Sequence, residues 1–104
     1  MSVSREVKEG LQIQGMEEQI AYQLTTTPWA STPVITSVKA YEVTNGIRVD
    51  VSNIVLTGTA SVVGDVITTP IVKSLIFNKI YRIEIIFTSG GLTFVPYFMV
   101  KAEY

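Results

Sequence analysis

A chain of 104 residues with 47% apolar and only 16% charged side chains can pack one domain and is too apolar to stay disordered. Its net charge of −1 offers no basic field to a nucleic-acid backbone. It contains neither Cys nor His, which excludes a disulfide framework, a thiolate metal site and a histidine general base.

Residues 1–18 differ in character from the rest. Arg5, Glu6, Lys8, Glu9, Glu17 and Glu18 are interspersed with Leu11, Ile13 and Met16, and Gly10 and Gly15 oppose a helix. Two readings stand side by side. One is an extended N-terminal arm that docks on a neighbouring subunit through Leu11, Ile13 and Met16. The other is a disordered start, or a first strand laid along its own domain. As an arm, its removal over residues 1–15 is expected to leave the domain folded. The opening residues lack an apolar run, so no signal peptide is expected, and no stretch nears the roughly 20 apolar residues of a membrane helix.

From Gln19 the pattern is that of strands, and residues 19–104 are assigned to the folded domain. Gln19 to Thr26 alternates Ile20, Tyr22 and Leu24 on one side. A loop with Pro28 and Pro33 follows, and within it Trp29 either caps one end of the domain or anchors an interface. Val34 to Val43 reads as a strand, Asn45-Gly46 as a turn that tolerates positive φ, and Ile47 to Val51 as a further strand. Short extended pieces are expected at Ile54 to Leu56, Ser61 to Val63, Val66 to Thr68 and Ile71 to Leu75. Ile80 to Thr88 and Leu92 to Glu103 are the longest strands. About seven strands with a turn signal every 8–12 residues predict an all-β, antiparallel β-sandwich. Tyr81 opens its strand after the Asn78-Lys79 corner. That placement fits a tyrosine corner, whose hydroxyl bonds back to the upstream backbone.

The last hairpin sets Tyr81, Ile83, Ile85 and Phe87 against Leu92, Phe94, Pro96, Phe98 and Val100, which requires an even loop. A two-residue Gly90-Gly91 turn would aim the missing N–H of Pro96 at its neighbour strand. A four-residue loop from Ser89 to Leu92, or a local bulge, is therefore expected. The opposite face carries Ile80, Ile86, Val95, Tyr97 and Met99 among Arg82, Glu84, Thr88, Thr93 and Lys101, too apolar for an ordinary solvent face. Either a neighbouring subunit or the arm of the same chain covers it. Ile86, Val95, Tyr97 and Met99 join Leu11, Ile13, Met16 and Trp29 as candidate interface residues.

No constellation for chemistry emerges. No His stands beside a Ser, Thr or Lys nucleophile, and the nine acids are dispersed. No glycine loop ends in the Lys-Ser/Thr of a phosphate site. The expectation is a non-enzyme with no catalytic, cofactor or metal residues, acting on neither a small-molecule substrate, nucleic acid nor membrane.

The run GDVITTPIVKSLIFNKIYRIEIIFTSGGLTFVPYFMVKAE, with Trp29 through VKAYEVTNGIRVDVSNIV and the lead-in EEQIAYQL, resembles the immunoglobulin-like modules of tailed bacteriophages. Within that group it is most similar to the fiber-tail adaptor type, and the likeness covers nearly the whole chain. The resemblance implies an immunoglobulin-like sandwich. It also implies a virion structural protein, assembled in the bacterial host cytoplasm, that joins tail fibers to the tail tube or adaptor ring in multiple copies per particle. A capsid decoration protein is the alternative of the same class. A carbohydrate-binding module, using Trp29 with Tyr41 or Tyr97 as an aromatic platform, is the alternative of another.

Overall fold

Alternating apolar side chains cover both long strands of the last hairpin and the first strand after residue 18, and these segments form the walls of the core. The computed structural model describes residues 2–6, 11–26 and 33–103, with residues 2–6 described by backbone pairing alone. Its strands are β1 (Ser2–Glu6), β2 (Leu11–Gln14), β3 (Gln19–Thr25), β4 (Val34–Thr44), β5 (Ile47–Asp50), β6 (Leu56–Thr57), β7 (Ser61–Val63), β8 (Val66–Thr68), β9 (Ile71–Val72), β10 (Ile80–Ser89), β11 (Leu92–Phe94) and β12 (Tyr97–Ala102). One helical turn, α1 (Ser52–Val55), lies between β5 and β6. Two sheets result. The first has the order β6-β9-β3-β8-β7 with β1 also on β3, and the second has β2-β12-β10-β4-β5 with β11 also on β10.

The sheets face each other through the inward set of each strand. Ile20, Tyr22, Leu24, Ile67 and Val72 of the first meet Tyr81, Ile83, Ile85, Phe87, Phe98 and Val100 of the second, all buried. Tyr22 and Phe98 stand with ring centroids 4.9 Å apart, and Phe87 stacks on Phe94 at 5.2 Å. Each fully buried side chain of this size contributes roughly 1.5–3 kcal/mol relative to exposure. Tyr81 Oη accepts the Ile76 backbone N–H at 2.9 Å, which ties the corner before β10 to the strand it precedes.

The all-β sandwich expected from the strand pattern is thus present, with several differences in detail. The N-terminal strands depart from the antiparallel rule, since β1 pairs parallel with β3 and β2 pairs parallel with β12. The strand pieces exceed about seven because turns and Pro96 divide the expected runs. Ile54 to Leu56 is not a strand throughout. Asp50 Oδ1 accepts both the Ser52 N–H (2.9 Å) and the Ser52 hydroxyl (2.7 Å), and the Val51 carbonyl then accepts the N–H groups of Ile54 and Val55. This side chain-to-backbone turn starts α1 where β5 ends.

The last hairpin corrects the loop expected from its proline. Ser89 pairs with Leu92, so the turn is the two-residue Gly90-Gly91, with φ of 58° and 80°. One register holds from Ser89–Leu92 through Ile80–Lys101, and Pro96 marks the gap between β11 and β12. Its carbonyl still accepts the Ile85 N–H at 3.0 Å, so the ring costs the ladder one bond and no shift. The bulge lies elsewhere, in β4, where the register against β10 slips between Ile86 and Phe87. The extra residue lets Ile35 and Val38 both face the core, against Phe87 and Ile85.

The described part of residues 1–18 is laid along its own domain, one strand in each sheet, instead of standing apart as an arm. Gln14 fixes this placement. Its fully buried side chain donates to the Val72 carbonyl (2.8 Å) and the Glu18 carbonyl (3.0 Å) and accepts from Tyr22 Oη (2.7 Å). A residue of the second sheet thereby binds two strands of the first.

Candidate functional site

The outer face of the second sheet gathers most of the residues singled out from the sequence. β12 is central to it. Tyr97 is opposite Glu84, Met99 is opposite Arg82 on one side and Leu11 on the other, and Lys101 is opposite Ile80 and Ile13. Residues directly opposite in a ladder share a face. Leu11, Ile13, Tyr97 and Met99 therefore form one apolar band across β2 and β12, and the unbroken hairpin register sets Ile86 opposite Val95 on the same side. Tyr97 remains 53% exposed and Leu11 49%, while Met99 and Ile86 are half-buried. Among the described residues the arm of the same chain covers this face only in part: β2 supplies its edge. Met16 lies beyond β2, exposed in the turn before β3. Trp29 lies outside the described residues.

A charged chain crosses the middle of the face. The Arg82 guanidinium sits 3.5 Å from the Tyr97 ring centroid and its Nε bonds Glu84 Oε2 at 2.8 Å. Arg48 Nη1 reaches the same oxygen at 3.2 Å, and its guanidinium lies 5.5 Å from the Tyr41 ring centroid. Tyr97, Arg82, Glu84, Arg48 and Tyr41 thus link four strands. The carboxylate of Glu84, with a side chain only 12% exposed, is matched by two cations. With both cations still reached by solvent, pairs of this kind contribute about 0–1 kcal/mol each. Their larger effect is to hold the Tyr97 ring in place, with one of its faces occupied by a guanidinium. Sequence reasoning missed this network. The Arg82-x-Glu84 spacing, which puts both on one face of a strand, was its only available signal. Arg48 joins only through the β4–β5 register, which the sequence does not print.

A second feature is the outer edge of β5. Its four residues are all exposed, with Ile47 at 65% and Val49 at 55%, and among the described residues no strand pairs with that edge. Beside it a groove of about 400 Å³ is lined by Lys39, Asp50, Ser52 and Ile54 among others. The Asp50–Ser52 contact there is structural. Ser52 Oγ accepts the Ala40 N–H at 2.8 Å while the Val51 N–H bonds the Ala40 carbonyl at 2.9 Å, so the pair continues the ladder past the end of β5. Hydrogen bonds from the Ser52 backbone and hydroxyl hold the Asp50 carboxyl below its usual range. Burial pushes the Tyr81 hydroxyl above its usual range, against the opposing effect of its bond to Ile76. Among the described residues no group of three or more His, Cys, Asp or Glu converges as a metal site.

Compared with protein-family models, with curated proteins and with solved structures, the chain finds no match.

Proposed function

We propose that this chain is an immunoglobulin-like module that holds other protein chains together, and that it serves as a bacteriophage tail adaptor between fibers and the tail tube or adaptor ring. The observation that carries the contact role is the exposed apolar band of Leu11, Ile13, Tyr97 and Met99, whose Tyr97 ring is held by the Arg82–Glu84–Arg48 chain. Rigid aromatic anchors beside ordered arginines are the composition of interface centres. The immunoglobulin-like assignment draws support from the Tyr81 corner and from the antiparallel order β12-β10-β4-β5. The adaptor role rests on the sequence resemblance.

The test combines a double substitution with copy counting. In Leu11→Ser/Tyr97→Ser the core is untouched and the Arg82–Tyr97 ring contact is lost, so the unfolding free energy from urea titration is expected to fall by only about 1–2 kcal/mol and the chain to stay folded. Incorporation into particles, read by quantitative mass spectrometry of purified virions, is expected to fall several-fold. About a dozen copies per parent virion fits a tail ring, and hundreds fit a capsid decoration protein. Absence of the chain from virions, or full incorporation of the double variant, would refute the proposal.

A further inference from the structure

The free edge of β5 carries a self-complementary pattern, and we propose that two copies of this chain pair there, β5 against β5, antiparallel about a two-fold axis at Val49. The inference does not depend on the adaptor reading.

The β4–β5 ladder decides which backbone groups are free. The two-residue Asn45-Gly46 turn makes Thr44–Ile47 a closing pair, and pairing alternates from there through Val43–Arg48, Glu42–Val49 and Tyr41–Asp50. Ile47 and Val49 therefore spend their N–H and C=O on β4, as does Val51, whose N–H bonds Ala40. Arg48 and Asp50 point theirs outward.

A second strand laid on this edge must match outward groups with outward groups. Three two-fold registers do so near the centre of β5. One puts Arg48 opposite Arg48, one puts Asp50 opposite Asp50, and one puts Arg48 opposite Asp50 twice with Val49 on the axis. The first two set like charges side by side, which is destabilising. The third makes both hydrogen-bonded pairs Arg48–Asp50 and places Val49 against Val49 at the closer, non-hydrogen-bonded spacing. Ile47 then faces Val51 of the second copy. Two exposed apolar side chains per copy gain partners on one face, and opposite charges meet on the other. Neither charged group is consumed within its own chain. Arg48 engages Glu84 through Nη1, and Asp50 engages Ser52 through Oδ1 alone. The symmetry is closed, since pairing uses up the edge that made it, so the product is a dimer and not a fibre. So short a pairing predicts modest affinity, of the kind that multivalency reinforces.

Cysteine placement tests it cleanly because the chain has no Cys of its own. In full-length Val49→Cys the two thiols meet across the axis, while in Ile47→Cys they do not. Val49→Cys is expected to form a disulfide-linked dimer at least about tenfold faster than Ile47→Cys under the same mild oxidant, because association raises the local thiol concentration. Sedimentation of the parent chain over a concentration series is expected to show a monomer–dimer equilibrium. Arg48→Glu should weaken it about tenfold by facing Asp50 with a like charge. A parent monomeric at every concentration, equal cross-linking at 47 and 49, or an undiminished Arg48→Glu dimer would overturn the proposal.

Discussion

Gln14 shows how much a single polar side chain decides when it is taken out of water. Its amide makes three bonds inside the sandwich, and every buried side-chain polar atom among the described residues has a partner. Gln14→Ala removes the donor to the Val72 and Glu18 carbonyls and the oxygen that accepts the buried Tyr22 hydroxyl, so a loss of about 2–4 kcal/mol is expected from urea unfolding. Adding Tyr22→Phe removes the hydroxyl whose bond to Gln14 was lost. The double variant should therefore lose less than the sum of the singles by about 1 kcal/mol. None of this was legible in the sequence. Gln14 sits in a charged stretch with no strand-length alternation, and its environment is completed by β9, 58 residues away in the chain. Tyr81 was legible because its role is local: the corner and the strand start lie within five residues.

The elements were read well where one side of a strand is apolar and the other is not. Ile20, Tyr22 and Leu24, and the four inward residues from Tyr81 to Phe87, are buried as their alternation predicts. Reading failed where two local preferences compete. At the last hairpin, avoiding an aimed Pro96 argued for a longer loop. A two-glycine turn with both φ values positive at no steric cost outweighed one missing ladder bond. At residues 50–55 the Asp50 side chain captured Ser52 and turned the chain before the apolar run could extend. The N-terminal strands carry the sharpest consequence at this scale. Removing residues 1–14 deletes both parallel strands together with Gln14, so the shortened chain is expected to melt roughly 10–20 °C lower, or not to fold. A melting curve unchanged by this truncation would mean that β1 and β2 contribute nothing to the domain.

At the scale of the whole molecule, what the sequence lacks shapes its response to pH. With no His and no Cys, no side chain has an ordinary pKa between those of the carboxylates and the tyrosines and lysines. Asp50 and Tyr81 have shifted values at the borders of that window. Asp50 is held below its ordinary value of 3.8 by hydrogen bonds from Ser52, so its contribution is complete above that value and lost as pH falls through the depressed folded one. Tyr81 is raised above 10.0 by burial, so its contribution is complete below that value and lost as pH rises through the higher folded one. Unfolding free energies from urea titrations taken from pH 3 to pH 11 should trace a plateau, flat within about 0.5 kcal/mol between roughly pH 6 and pH 9, with a fall on each side. Tyr81→Phe should lower the plateau, since the Ile76 N–H loses its acceptor, and make the alkaline fall shallower. A stability that climbs or drops steeply through neutrality would overturn the assignment of the pH response to Asp50 and Tyr81.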